Sequence, residues 1–208
     1  MVGLLARKVG MTQVFDEAGN LLPVTVIRVD PNVVIAKKTK EEDGYAAVVI
    51  GLDDAKENRV TKAYAGQFPK DITPKKRIRE LRDFEKEVAV GDKLGVEVLE
   101  GIRYVDVSGI SKGKGFQGVV KRFGFSGGPS KHGSKFHREP GSTGQNTYPH
   151  RTFKNKKLPG RMGREKVTMM NLRVIKMDPE KQLIMIKGAI PGVNKGLVLV
   201  RAAFKKGR

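Results

Sequence analysis

The chain has no cysteine, which excludes a disulfide framework, a thiolate nucleophile and a Cys-ligated zinc site, and suits a reducing cytosol. It also has no apolar run near the ~18 residues that cross a bilayer. Its opening residues, Met-Val-Gly-Leu-Leu-Ala-Arg, lack the apolar stretch of a signal peptide, so a cytoplasmic location is expected. The most telling shortage is of acids. Residues 108–166 contain only Glu139 and Glu165 against fourteen Lys or Arg.

Those fourteen cations less two acids leave +12 in this segment, out of a formal +19 for the 208-residue chain with histidine neutral. A protein with a sequence pI near 10.2 repels itself when compact unless an anionic partner is present, which points to nucleic acid or an acidic membrane surface. A membrane surface calls for an amphipathic helix whose basic face opposes a large apolar one. Here the cations alternate with Gly, Ser and Pro, which cannot hold such a helix, and nucleic acid is the favoured partner.

On both sides of the basic segment the chain reads as short strands. Apolar, branched runs at residues 11–15, 22–29, 33–39 and 45–52 are separated by Asp16-Glu17-Ala18-Gly19-Asn20 and Asp30-Pro31-Asn32, which carry turn chemistry and suggest a meander or barrel. Residues 53–87 are charged and broken by Gly66, Pro69 and Pro74, which predicts a surface excursion with short helical turns. A strand pair is expected at 77–84 and 93–98, then a strand at 103–107. Beyond the basic segment, runs at 167–177 and 182–186 flank the turn Asp178-Pro179-Glu180-Lys181, and 197–200 follows. These late strands are apolar at nearly every position, which predicts burial on both faces and closure of a barrel with the first block. The fold class expected is mainly β: a barrel with short helices and a long basic loop. The expected organisation is 1–107 for the first part of the barrel body, 108–166 for the basic extension, and 167–208 for the strands that complete it.

Within the extension, Gly113-Lys114-Gly115-Phe116-Gln117-Gly118 exposes backbone amides among cations, an arrangement suited to phosphate. A following helical turn over 116–123 is expected to bury Phe116, Val119 and Val120 and present Lys121 and Arg122. The same glycines satisfy a dinucleotide-binding pattern, but that site needs a strand, a helix, a parallel strand and a downstream acid on ribose. Here the downstream chain is basic loop. Residues 126–149 are polar and cannot build a core; such a loop is disordered or shaped by its ligand. Two extended legs would carry its tip about 40 Å out. Phe136, Tyr148 and Phe153 either stack on unpaired bases or pack against the loop's own base, and Gln145 and Asn146 suit base edges or a 2′-hydroxyl. His132, His137 and His150 lack the carboxylates or thiolates of a metal set, and no hydroxyl is pinned to an imidazole for nucleophilic chemistry. No cofactor and no catalysis are expected. The candidate RNA-binding residues are Lys112, Lys114, Lys121, Arg122, Lys131, His132, Lys135, His137, Arg138, Gln145, Asn146, Arg151, Lys154, Lys156, Lys157, Arg161 and Arg164. Charge alone also admits a nucleoid-type DNA-binding protein, and a basic arm also admits an RNA-modifying enzyme, although no cofactor loop or carboxylate pair serves one.

Several motifs carry a resemblance. Gly3-Leu4, Lys8-Val9-Gly10-Met11-Thr12, Phe15 and Pro23-Val24-Thr25-Val26 open the chain. Leu99, Asp106, Gly109, Ser111, Gly113-Lys114-Gly115, Gly118 and Arg122 follow. His132-Gly133, Pro140-Gly141-Ser142, Gly144-Gln145-Asn146, Lys156-Lys157, Gly160, Met162-Gly163 and Val167-Thr168 complete the set. In this order and spacing the chain resembles the bacterial ribosomal protein L-three family of the large (50S) subunit along its whole length. The resemblance implies a translation-factor-like barrel with an extension toward the peptidyl-transferase centre. It further implies binding of large-subunit ribosomal RNA near its 3′ end, a part in nucleating assembly, and ribosomal proteins L-fourteen and L-nineteen as partners, with no membrane and no homo-oligomer. It makes Gln145 a possible modification position, while Thr147 stands where the family pattern has a second Gln, and Gly127-Gly128-Pro129 departs from that pattern.

Overall fold

A computed structural model describes residues 2–206. The chain divides into two compact units, one formed by Ser111–Glu165 and the other by the residues on either side of it.

The larger unit is built on a closed six-stranded barrel. Its strands are β1 (Gly3–Phe15), β2 (Leu21–Arg28), β7 (Tyr104–Ile110), β10 (Lys166–Asp178), β11 (Leu183–Lys187) and β12 (Leu197–Ala202), in the order β1-β12-β7-β10-β11-β2. All six pairings are antiparallel. The turns behave as their residues require. Asp16 accepts from the backbone N–H groups of Ala18 and Asn20 at 3.0 and 2.8 Å, closing the β1–β2 hairpin, and Asp178 Oδ1 accepts from Lys181 N at 3.1 Å between β10 and β11. Leu4, Ala6, Ile27, Val105, Val107, Ile184, Ile186 and Val200 are fully buried. Each large aliphatic side chain among them contributes roughly 1.5–3 kcal/mol of burial.

Two strands expected in the barrel lie elsewhere. β3 (Asn32–Lys38) and β4 (Ala47–Asp54) form a second sheet with β5 (Lys75–Arg82) and β6 (Lys93–Leu94), ordered β5-β4-β3-β6. The cause is Asn32, which is fully buried. β1 pairs with β12 over residues 3–7 but with β2 only from Arg7 onward. On the edge left open, the Asn32 amide accepts from Leu5 N at 2.9 Å and donates to Leu5 O at 2.9 Å. One side chain thus takes the place of a neighbouring strand, and β3 is free to turn away after Pro31. Val34, Ile50 and Leu52 of the second sheet join the barrel residues in one hydrophobic core.

The strand pair expected at 77–84 and 93–98 is not formed: β5 pairs with β4 and β6 with β3. Most of 93–98 is not strand either. Val96–Leu99 is a 3-10 turn with Val96 and Leu99 buried, since three residues per turn brings i and i+3 to one side. Short helices do occupy the excursion, with α2 at Lys62–Ala65, while α1 (Lys40–Asp43), capped by Thr39, interrupts the β3–β4 connection. Nor is β10 buried on both faces: Val167, Met169 and Met170 are 38, 41 and 55 % exposed. The register of β10 against β7 shifts between Met169 and Leu172. Buried Asp106 holds that irregularity by accepting from Asn171 N at 2.8 Å, and its other oxygen accepts from Phe204 N at 3.3 Å.

Asn32→Leu should cost about 2–4 kcal/mol, because two buried backbone groups of Leu5 lose their partners; a urea midpoint unchanged from wild type would refute this role. At the exposed rim, hydrogen bonds from Lys75 and Thr73 hold the Asp54 carboxyl below its ordinary value of 3.8. A depressed folded value stabilises above the unfolded one, and that contribution disappears as pH falls from 3.8 through the folded value. In Lys75→Met the Asp54 titration, followed by NMR, should move up toward 3.8.

Candidate nucleic-acid interface

The smaller unit is a stem whose two legs bond to each other. Ser111 N donates to Glu165 O at 2.9 Å, Lys114 N to Met162 O at 2.9 Å, and Met162 N to Gly115 O at 2.9 Å. Beyond them β8 (Phe116–Gln117) pairs with β9 (Gly160–Arg161). The amides of Ser111 and Lys114 are therefore engaged across the stem, and the glycine-rich leg offers fewer free N–H groups than its sequence suggests. Gly163 explains the close approach of the legs. It has φ +74°, and a Cβ there would collide with the Lys112 carbonyl.

After β8, α3 (Val119–Phe123) ends at Gly124, whose left-handed backbone (φ 74°) sends its N–H to Val120 O. Val119 is buried as expected, but Phe116 is 76 % exposed. Arg122 differs from the other candidates. It is half-buried, its Nη1 donates to Leu158 O at 2.8 Å, and its guanidinium lies 4.9 Å from the Phe123 ring centroid. It clasps the two legs, with part of its donor set already used.

The segment expected as two extended legs is folded back on itself. Gly128 N donates to His137 O at 2.8 Å, His137 Nδ1 lies 3.0 Å from Pro129 O, and Ser134 Oγ donates to Phe136 O at 3.0 Å. Gly127 and Gly128 permit this, because a Cβ on either would strike the backbone of His137 or Phe136. His137 has a local structural role, whereas Lys131, His132, Lys135 and Arg138 are exposed.

Gln145 and Asn146 are exposed, as are Lys112, Lys114, Lys121, Arg151, Lys154, Lys156, Lys157, Arg161 and Arg164. The ion pairs among the described residues all involve cations outside Ser111–Glu165. The unit's positive charge is thus directed at solvent, and neither of its two acids, Glu139 and Glu165, forms an ion pair with it among the described residues. Tyr148 and Phe153 are 87 and 54 % exposed and Phe136 38 %, with the Arg151 guanidinium 5.9 Å from the Phe153 centroid. Among the described residues no group of His, Asp or Glu is arranged to hold a metal. A cleft in the stem was not legible in the sequence: Phe123, Met162 and Glu165 line it with Lys112, Lys114 and Arg122. Its walls come from opposite legs, and only the folded stem brings them together.

A β-barrel bearing an acid-poor cationic arm defines a class of structural, polyanion-associated protein. The family comparison matches residues 77–182 to Ribosomal protein L3. The chain is 56 % identical over 208 residues to the large ribosomal subunit protein uL3 of Treponema denticola, covering all of both chains. It is 53 % identical over 205 residues to that of Geobacillus kaustophilus, covering 98 % of this chain and 96 % of the relative. With that of Borrelia hermsii the identity is 50 % over 209 residues, again covering both chains fully. The chain belongs to the ribosomal protein L3 family. It is a structural constituent of the bacterial large ribosomal subunit, cytoplasmic with the ribosome, and not an enzyme.

Gly163→Ala should destabilise the stem by about 1–2 kcal/mol, the cost of a left-handed non-glycine residue, before the added clash is counted. Amide exchange should quicken at Lys114 and Met162 and stay unchanged at Val107; equal protection in wild type and variant would show that the legs do not depend on this contact.

Proposed function

We propose that the protein binds large-subunit ribosomal RNA through residues 108–166, an RNA-penetrating insertion in a barrel body formed by 1–107 and 167–208. The observation that carries this reading is the set of exposed cations in Ser111–Glu165, none in an ion pair among the described residues. Such a set neutralises closely packed phosphates, and each contact releases condensed counterion. Lys112, Lys114, Lys121, Lys154, Lys156, Lys157, Arg161 and Arg164 act chiefly on the sugar-phosphate backbone, which positions the arm without reading sequence. Lys131, His132, Lys135, Arg138, Gln145, Asn146 and Arg151 meet the RNA from the folded-back part, and Arg122 and His137 support the arm's own shape while keeping donors for RNA.

The finer placement follows the family resemblance: a site near the 3′ end of the RNA, an early role in subunit assembly, an arm tip toward the peptidyl-transferase centre, and ribosomal proteins L-fourteen and L-nineteen as neighbours. Peptide transfer on this reading remains RNA chemistry, and the arm orders the RNA around it. Gln145, exposed in its Gly-Gln-Asn loop, is accessible for modification in the free protein.

Deletion of 126–149 removes Lys131, Lys135 and Arg138. The slope of log affinity for the RNA against log salt should become shallower by roughly two, at ~0.7–0.9 per phosphate contact, and subunit reconstitution should stall. Unchanged slope and assembly would refute the arm's role. Equal affinity for random duplex DNA at matched salt would favour a nonspecific DNA-binding protein instead.

A further inference from the structure

We infer that the stem of the arm holds a binding site for a single nucleotide extruded from the RNA, its base stacked on Phe123 and its amino group bonded to Glu165. The inference rests on the RNA-binding reading of the arm and assigns one ligand to one place in it.

The cleft has a volume of about 460 Å³, within the ~300–1,000 Å³ of small-ligand sites. Its lining combines three kinds of group. Lys112 and Lys114 are exposed ammonium groups on one leg, suited to a nucleotide's phosphate. Phe123 and Met162 supply apolar surface from the two legs. The Phe123 ring is 38 % exposed and braced by its neighbours: Phe125 lies 6.4 Å away in a tilted contact, and the Arg122 guanidinium and Lys157 ammonium lie 4.9 and 6.0 Å from its centroid. Base stacking requires an accessible aromatic side chain and accepts any base.

The third kind of group decides the ligand. Glu165 is one of only two acids in Ser111–Glu165, and it lines this cleft rather than the open surface of the arm alone. Its backbone N–H donates to Ser111 Oγ at 3.2 Å, while its carboxylate makes no ion pair among the described residues. Against a bare phosphate this carboxylate would only repel. Against a base it is an acceptor for an exocyclic amine, so the site takes adenine, cytosine or guanine rather than uracil read through its carbonyls. Paired RNA cannot present a base face and an amino edge together to one cleft, which requires the nucleotide to be unstacked from its helix.

The test uses the full chain reconstituted with large-subunit RNA, followed by zero-length ultraviolet crosslinking and mass spectrometry of the peptide–nucleotide products. The expected result is a crosslink from Phe123 or Met162 to one amino-bearing nucleotide, alongside contacts from Lys154 and Lys156. Phe123→Leu should lower that one crosslink by about fivefold or more, the loss expected from one stacking contact; Phe123→Trp should keep it. Glu165→Gln, which leaves the fold's hydrogen bonds intact, should weaken it and relax the base preference. Crosslinks at Lys154 and Lys156 with none at Phe123 or Met162 would overturn the nucleotide site and leave the arm's RNA binding standing. Absence of every arm crosslink would overturn both.

Discussion

The structure depends on one pairing, β7 against β10, in which Ile110 faces Lys166. The chain leaves the barrel sheet at one of these residues and re-enters at the other, so a 55-residue excursion, Ser111–Glu165, begins and ends on neighbouring strands. Antiparallel registry at this point lets a polar, glycine-rich segment remain outside the hydrophobic core without interrupting it. The barrel closes through β12 on one side of β7 and β11 on the other side of β10, and its apolar interior needs nothing from the insertion.

That separation explains why the two halves of the sequence obey different rules. The body follows burial: branched side chains alternate into a closed barrel, and Asn32 completes the open edge of β1 with its amide. The arm follows charge. Its legs are held by backbone hydrogen bonds, by Gly163 and by the Arg122 clasp rather than by a core, and its remaining cations face solvent. A large-subunit protein of this design carries a stable body and a second element whose electrostatic repulsion is relieved only by an anion.

Much of this was legible in the residues. Branched runs bounded by Asp16–Asn20 and Asp178–Lys181 marked the hairpins, and the shortage of acids in 108–166 marked the arm. The features not legible there involve side chains acting at a distance in sequence. Asn32 looked like a turn residue, yet its amide stands in for a strand and sends β3 and β4 into a separate sheet. Val96 and Leu99 looked like strand residues because a three-residue spacing also fits an apolar run. Phe123, Met162 and Glu165 gave no joint signal, since their meeting depends on the pairing of β8 with β9. The inward folding at Gly128 and His137 was hidden for the same reason: glycine shows where two backbones are able to touch, not which ones do.

Anchoring the excursion on two facing residues also makes its length nearly independent of the body. Once the ends of a loop are fixed side by side, doubling its contour adds only about 0.6 kcal/mol of closure entropy. Insertions between Gly124 and Leu158 would leave both the strand pairing below and the leg-to-leg bonds untouched. The depth to which such a protein probes its surroundings is therefore a property that evolution can tune separately from its stability.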